Sequence, residues 1–382
     1  MSRKKRVAVI FGGQSSEHEV SRRSAESVIK NINRQQYDVL MFGITKDGRW
    51  LYYDGPVEKI STGEWQEIAE ARIRLLKASP DNSGASLSKS LPAAAGTYAK
   101  DIFTSAGAGG EDHTIDVVFP VMHGCNAEDG TIQGFFELAG IPYVGPGVLG
   151  SALGMDKAFS KIIFEKEGLP QGRYLVFTRR QISSHMDSVI REVERSLTYP
   201  CFVKPSNAGS SVGVSKAHDR EELVKAVRLA ARYDRKVLAE EFIDGREVEC
   251  AVLGNDDPIA STVGEIIPCN EFYDYEAKYI HEDSKIVIPA DLPEETIEEI
   301  RGYAVRAFRA LDCSGLSRVD FFVHRDTGKV YLNEINTMPG FTSISMYPKL
   351  WEASGIPYGE LIGRLLDLAV ERFEENRRDY ER

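Results

Sequence analysis

The sequence predicts an α/β protein of two or three domains, and three observations carry that prediction. Val7-Ala8-Val9-Ile10-Phe11 is an unbroken apolar run ending in Gly12-Gly13, as a strand buried on both faces of a parallel sheet requires. Strand-like and helix-like segments alternate behind it, which places a ligand crevice at the carboxyl ends of the strands. The length, 382 residues, exceeds what one ordinary core accommodates.

The elements follow in order. A helix is expected from about Glu19 to Ile32 and a second strand from Tyr37 to Ile44. Residues 55–110 break the rhythm, and their Ser/Gly/Ala-rich part from Ser79 to Gly110 reads as loop or insertion. Asp116 to Val121 is a further buried strand, Thr131 to Leu138 a helix, and Pro142-Tyr143-Val144 a short strand before Gly145-Pro146-Gly147. One helical segment, Ser151 to Lys166, opens the next region. Strand Cys201 to Lys204, a Gly/Ser loop, helix Glu221 to Tyr233 and strand Lys236 to Phe242 follow. Strand Glu247 to Gly254, helix Glu294 to Leu311 and a hairpin lead to an amphipathic helix, Glu360 to Arg377.

Composition narrows the function classes. A formal net charge of −11 argues against nucleic acid or an anionic membrane as partner, since both need a cationic face. No stretch approaches the ~20 apolar residues of a spanning helix. The basic start Arg3-Lys4-Lys5-Arg6 precedes an apolar run too short for a signal peptide. Five scattered cysteines, Cys125, Cys201, Cys250, Cys269 and Cys313, lack any C-x-x-C spacing and read as reduced thiols of a cytoplasmic protein.

Chemistry begins at the hairpin. Leu316 to Val323 alternates as a strand, Asp326-Thr327-Gly328 is a turn signal, and Lys329 to Asn336 returns. Counted from that turn, opposed residue numbers sum to 654, so Asp320 faces Glu334 and Arg318 faces Asn336 on one side of the sheet. Two opposed carboxylates repel, and hard oxygen ligands on a rigid platform suit Mg²⁺ bridging nucleotide phosphates. Taken alone, the hairpin is explained more simply by two solvent-facing acids with Arg318 as their salt-bridge partner.

Two other segments bear on that choice. Lys204-Pro205-Ser206-Asn207-Ala208-Gly209-Ser210-Ser211-Val212-Gly213 sets a lysine at a strand end before small residues whose N–H groups and hydroxyls can wrap a phosphate. It is not a Walker A loop, because no G-K-[ST] closes it. Ala239-Glu240-Glu241-Phe242-Ile243 ends a strand and Gly245-Arg246-Glu247 starts the next, where backbone groups could read an adenine edge and Glu247 could accept from ribose. An acidic strand end without a ligand fits that second segment as well.

Together these motifs resemble the ATP-grasp ligases: Lys204 through Gly213, Glu240 with Glu247, Arg318-x-Asp320, and Asn333-Glu334-Ile335-Asn336-Thr337-Met338-Pro339-Gly340. Phe11 through Ser21, His123-Gly124, Glu128-Asp129-Gly130 and Phe272 through Tyr279 narrow the resemblance to the D-alanine–D-alanine ligases, over essentially the whole chain except 55–110. The resemblance implies a three-domain ATP-grasp fold with an N-terminal Rossmann-like domain: 1–148, a central domain at 149–240, and a C-terminal domain at 241–382.

It also implies the site. ATP would lie between the central and C-terminal domains, with Lys157, Lys204 and Ser211 at the phosphates. Glu240 and Ile243 would hold adenine, Glu247 the ribose, and Tyr273 would cover the nucleotide. Asp320, Glu334 and Asn336 would bind two Mg²⁺, with Mn²⁺ as a possible substitute. Glu241 stands where many relatives carry lysine, which weakens a side-chain contact to adenine there. Glu17, Ser210 and Tyr279 would form a hydrogen-bonded triad, with Glu17 at the ammonium of the first D-alanine. His123 would lie near the substrates; Lys278, Ser345 and the Met346 backbone would hold the second carboxylate. Arg318 and the Gly340 N–H would stabilise the oxyanion after ATP has phosphorylated the first D-alanine. Segment 271–282 and the Ser210 loop would close against water.

The expected partners are therefore D-alanine, ATP and a second copy in a homodimer, with neither nucleic acid nor membrane. A D-alanine–D-lactate ligase would typically lack a tyrosine at Tyr279, and a D-alanine–D-serine ligase would differ in pocket size. A non-catalytic ATP-binding regulator would lack a metal ligand or the arginine, and this sequence has both. Gly12-Gly13 is not the G-x-G-x-x-G of a nicotinamide-binding protein.

Overall fold

The computed structural model describes residues 3–78, 115–267 and 285–379. The chain divides into two compact units, one made of Met1–Val148, Ser314–Leu316 and Met338–Arg382, the other of Leu149–Cys313 and Ser317–Thr337.

The first unit is built on a four-stranded sheet of β1 (Lys5–Gly12), β2 (Tyr37–Ile44), β3 (Trp50–Tyr53) and β4 (Val117–Pro120), in the order β3-β2-β1-β4. Strands β2 and β4 run parallel to β1, and β3 is antiparallel to β2. Val7 through Phe11 are fully buried, as their unbroken apolar run demands of a central strand. At the carboxyl end of β1, Gly12 has φ +88°, and a Cβ there would lie 2.2 Å from the Ile44 carbonyl oxygen, so the turn into helix His18–Asn31 needs glycine.

Part of the stretch where the sequence rhythm fails is ordered: β3 is followed by helices Glu58–Thr62 and Trp65–Ala78. The reason is Trp65, which is buried edge-on to Phe11 at 5.0 Å between ring centroids and also meets Tyr53 at 6.4 Å. One aromatic anchor holds a segment whose periodicity is weak. The expected loop at Ser79–Gly110 lies outside the described residues.

The end of the chain rejoins this unit through helices Met346–Ala353 and Tyr358–Glu375. The last helix buries Leu361, Ile362, Leu365, Leu366 and Ala369 on one stripe. Beside them Arg372, itself buried, donates to the carbonyls of Gly145 at 2.8 Å and Tyr143 at 3.3 Å and stacks 4.1 Å over the Tyr143 ring.

The second unit contains two sheets. The first joins β5 (Tyr174–Thr178), β6 (Cys201–Pro205), β7 (Ser215–Ala217) and β8 (Lys236–Glu241) in the antiparallel order β5-β8-β6-β7. Helices Arg179–Ser196 and Arg220–Tyr233 share its core, through Val189, Ile190, Val193, Leu223, Val227 and Ala230. The second sheet joins β9 (Gly245–Gly254), β10 (Ile259–Ile267), β11 (Lys285–Val287), β12 (Gly315–His324) and β13 (Val330–Asn336) in the order β11-β10-β9-β12-β13. Its core is filled by Ile300, Ala304, Ala307 and Phe308 of helix Glu294–Ala310.

The single helix expected over Ser151–Lys166 is two helices, Val148–Met155 and Lys157–Lys166. Asp156 breaks it: its backbone is extended and its side chain accepts from the Ala158 and Phe159 N–H groups, an N-cap that starts a new helix.

Gly43 faces the Trp65 ring, and a Cβ there would lie 2.1 Å from it. Gly43→Ala is expected to destabilise the protein by about 1–3 kcal/mol through overpacking. Urea unfolding followed by tryptophan fluorescence would show it as a lowered midpoint, and an unchanged midpoint would contradict the packing described.

Candidate functional site

In the second unit, β12 and β13 pair Arg318 with Asn336 and Asp320 with Glu334, as the sequence count required. Nearer the turn the register differs by one, with Phe321 opposite Leu332 and Val323 opposite Val330. The difference is absorbed by a β-bulge that leaves Asn333 without an opposed residue. The bulge has a physical reason. Val330, Leu332 and Ile335 are all core residues, and their spacing of two and then three cannot sit on one face of a regular strand.

The hairpin's charges neutralise one another. Arg318 donates from both Nε and Nη2 to the two Asp320 oxygens at 2.7 Å, and the Asn336 amide donates to Asp320 Oδ2 at 2.9 Å. Glu249, buried on β9, lies 2.9 Å from Arg318 Nε. Burial alone would lower the Arg318 pKa, but the facing carboxylates of Asp320, Glu249 and Glu334 outweigh it and hold the guanidinium firmly protonated. Glu334 in turn pairs with Lys157 Nζ at 3.3 Å.

Three lysines converge nearby. Lys157 also donates to the Ala208 carbonyl at 3.1 Å, while its backbone N–H donates to Ser206 O. Asp156 ties the two segments, accepting from the Ser206 hydroxyl at 2.6 Å and pairing with Lys236. Lys204 Nζ lies 2.5 Å from Glu240 Oε2 and donates to Asn333 at 3.3 Å. Lys161, 3 % exposed, lies 3.2 Å from Glu240 Oε1. Burial pulls the Glu240 carboxyl upward, but the two ammonium groups outweigh it and hold the pKa below the usual carboxylate range. Ser210 and Ser211 follow with φ of +50° and +58°, a sharp reversal in the loop after Lys204.

This arrangement fits a nucleotide and its metal. Glu240 Oε1 is buried with Lys161 3.2 Å away, and as a carboxylate oxygen it keeps acceptor capacity for a further N–H donor. Among the described residues no cluster of three or more His, Cys, Asp or Glu side chains could hold a metal alone. Two carboxylates and an amide form an incomplete hard-oxygen set, which phosphate oxygens would complete, as Mg²⁺ at nucleotide sites requires. The Glu241 side chain instead pairs with Arg173 at 2.7 Å, in line with the doubt about its contact to a base. Ile243 and Glu247 flank the junction of β8 and β9.

The first unit holds a second group. Glu17 is buried, and Gly124, at φ +76°, leaves room for it: a Cβ there would lie 2.5 Å from Glu17 Oε2. His123 is buried, with Nδ1 at 3.1 Å from the Met338 carbonyl and Nε2 at 3.0 Å from Ser24 Oγ. The Met338 carbonyl makes Nδ1 a donor, and although burial lowers the His123 pKa, Glu128 at 3.7 Å from Nδ1 outweighs it and raises the value. The Phe341 N–H also donates to Ser24, and Tyr358 OH to the Phe341 carbonyl, so the Met338–Phe341 segment carrying Gly340 is tied at both ends. Ser345 Oγ accepts from the Thr342 N–H at 3.1 Å and would lie 3.0 Å from a Cβ on Gly340; Met346 begins the next helix. Tyr273, Lys278 and Tyr279 lie outside the described residues.

Sequence reasoning missed Lys161, Glu249, Asp156 and Ser24. Three had a signal. Lys161 is one helical turn after Lys157, Glu249 shares a strand face with Glu247, and Asp156 precedes a helix at a capping position. Ser24 had none, since its partners are distant in sequence.

Comparison with known proteins places this geometry. Residues 6–146 match the family model described as D-ala D-ala ligase N-terminus, and residues 163–367 the one described as D-ala D-ala ligase C-terminus. A D-alanine–D-alanine ligase of Ruminiclostridium cellulolyticum is 65 % identical over 99 % of this chain and 98 % of its own. One from Acetivibrio thermocellus is 65 % identical over the whole of both. Among solved structures, a D-Ala:D-Ser ligase from Enterococcus faecalis gives a TM-score of 0.79 at 38 % identity, covering 96 % of this chain and all of that one. The D-alanine–D-alanine ligase of Coxiella burnetii gives 0.79 at 34 %, covering 98 % and 96 %. The fold is therefore the ATP-grasp fold of ATP-dependent ligases, preceded by an N-terminal α/β domain. Within that class, the chain belongs to the D-alanine–D-alanine ligase family.

Because its pKa is depressed in the fold, Glu240 contributes stability that is complete above the ordinary value of 4.5 and is lost as pH falls through the folded value. Glu240→Gln is expected to be less stable than the native chain near neutrality, where it leaves two buried ammonium groups unopposed. That gap should close on acidification below pH 4.5. Urea midpoints measured at a series of pH values check this; a gap that does not change with pH contradicts it.

Proposed function

We propose that this chain joins two D-alanine molecules into D-alanyl-D-alanine at the expense of ATP, supplying a precursor for peptidoglycan in the cytoplasm. The observation that carries the reading is Arg318 beside Asp320 at 2.7 Å, with Asn336 and Glu334 opposite them on the same hairpin. A non-catalytic nucleotide binder would have no use for a buried arginine among metal-binding acids. No helix among the described residues is long and apolar enough to cross a membrane, which is compatible with the cytoplasmic reading.

A carboxylate is a poor electrophile, so it is first activated as an acyl phosphate that the second D-alanine's amine attacks. Phosphoryl transfer needs positioning and charge neutralisation more than covalent help. Lys157, Lys204 and Ser211 would contact the phosphates, Glu240 and Ile243 the adenine, Glu247 the ribose, and Tyr273 would cover the nucleotide. Mg²⁺, held by Asp320, Glu334 and Asn336 as two ions and replaceable by Mn²⁺, would neutralise the phosphate charge. Lys157 and Arg318 pair with Glu334 and Asp320 in the structure, which sets both cations beside the carboxylates that would hold Mg²⁺.

Glu17 would receive the ammonium of the first D-alanine and join Ser210 and Tyr279 in a triad. Lys278, Ser345 and the Met346 backbone would hold the second carboxylate. His123 would act as a positioning residue, holding the segment that carries Gly340. The Gly340 N–H and Arg318 would then stabilise the tetrahedral oxyanion. We assign domains at 1–148, 149–240 and 241–382, with one sheet of the second unit falling in each of the last two and Met338–Arg382 of the third packing in the first unit, and a homodimer as the assembly.

Two tests apply. Phosphate release with ATP should depend on D-alanine and be far weaker with D-lactate, D-serine or L-alanine at any pH; no D-alanine-dependent release would sink the reading. D-serine as the better second substrate would replace it with the activity named for the Enterococcus faecalis relative. Arg318→Ala should lower turnover by about 10²–10³-fold, the usual cost of removing one oxyanion donor, with nucleotide affinity largely intact. Retained turnover would remove its assigned role.

A further inference from the structure

We infer that Lys161 is a positioning residue for base recognition: from beneath Glu240 it holds that carboxylate as an acceptor for the adenine amine, and so sets the preference for adenine over guanine nucleotides. The inference rests on the reading that Glu240 faces the base.

The two lysines around Glu240 are not equivalent. Lys204 ends β6 immediately before the phosphate loop, and its ammonium is shared between Glu240 Oε2 at 2.5 Å and Asn333 at 3.3 Å. A phosphate bound by that loop competes for the same ammonium. Lys161 is held closest to Glu240 and stands apart from the phosphate loop. It lies 3.2 Å from Oε1, its ammonium lies 5.5 Å from the centre of the Tyr174 ring, and its backbone carbonyl accepts from the Gln171 side chain at 2.7 Å. It stays with Glu240 whatever Lys204 does.

Without Lys161, recruitment of Lys204 to phosphate would leave a buried carboxylate with no cation beside it, a costly state that is relieved by taking up a proton. The proton would reverse the recognition. A carboxylate accepts from the amine of adenine, whereas guanine presents a carbonyl oxygen at that edge, which a protonated acid could serve as donor. Oε1 faces Lys161 at 3.2 Å, and as a carboxylate oxygen with more than one acceptor site it can also take an N–H group.

The experiment measures kcat and KM for ATP and GTP with saturating D-alanine in the native enzyme and in Lys161→Met, Lys161→Gln and Glu240→Gln. A lost hydrogen bond to a charged group corresponds to about 10- to 100-fold in affinity. Lys161→Met should raise KM for ATP by about that factor with kcat much less affected, and lower the ATP-over-GTP ratio of kcat/KM by about 10-fold or more. Lys161→Gln, smaller and polar, serves if the methionine variant does not fold. An unchanged KM and ratio in whichever variant folds, while Glu240→Gln loses both, would overturn the role of Lys161 alone. Glu240→Gln with native discrimination would instead remove the reading of Glu240 at the base, and this inference with it.

Discussion

Asp320 accepts both arms of the Arg318 guanidinium, and the rest of the second unit's polar architecture depends on pairings of this kind. Burying a carboxylate or ammonium alone costs several kcal/mol, so each must meet an opposite charge. Glu249 and Asp320 flank Arg318, Glu334 meets Lys157, and Glu240 lies between Lys161 and Lys204. The apolar residues beneath them belong to two separate cores, one under each sheet. Charge balance, more than packing, decides where these side chains point.

The same balance prepares the site for its ligands. In the proposed reading, the acids that pair with lysine and arginine here are those that would hold the metal, and their partners are the cations that would face phosphate and oxyanion. Much of this group is buried from water, so its electrostatic interactions are strong. In the first unit the corresponding device is conformational. Gly124 gives up a side chain to seat Glu17, and His123 with Ser24 fixes the backbone around Gly340.

The sequence revealed much of this, for identifiable reasons. β1 was legible because a strand buried on both faces leaves an unbroken apolar run, and the hairpin because its alternation and turn residues are local. The facing of Asp320 and Glu334 was reached by counting from the turn with a regular register, while the chain reaches it through a different register and a bulge at Asn333. The mixed spacing of Val330, Leu332 and Ile335 was the overlooked sign. Strand β5 and helix Arg179–Ser196 went unread although Thr178 and Gln181 form a capping box, since the adjoining apolar positions are interrupted by charges. Ser24 was out of reach in principle: its role arises from contacts with His123 and Phe341, which only the folded chain brings together.

The first unit is assembled from both ends of the polypeptide, with Arg372 seated on Tyr143 and Tyr358 hydrogen-bonded to Ser27. During synthesis, Met1–Val148 leaves the ribosome well before Met338–Arg382 exists to complete its core. At about 5–20 residues per second the interval is on the order of ten to forty seconds. The second unit, nearly continuous in the chain, can be made whole within that interval. The second unit is thus complete first, and the earliest strands wait for the last helix to close their core.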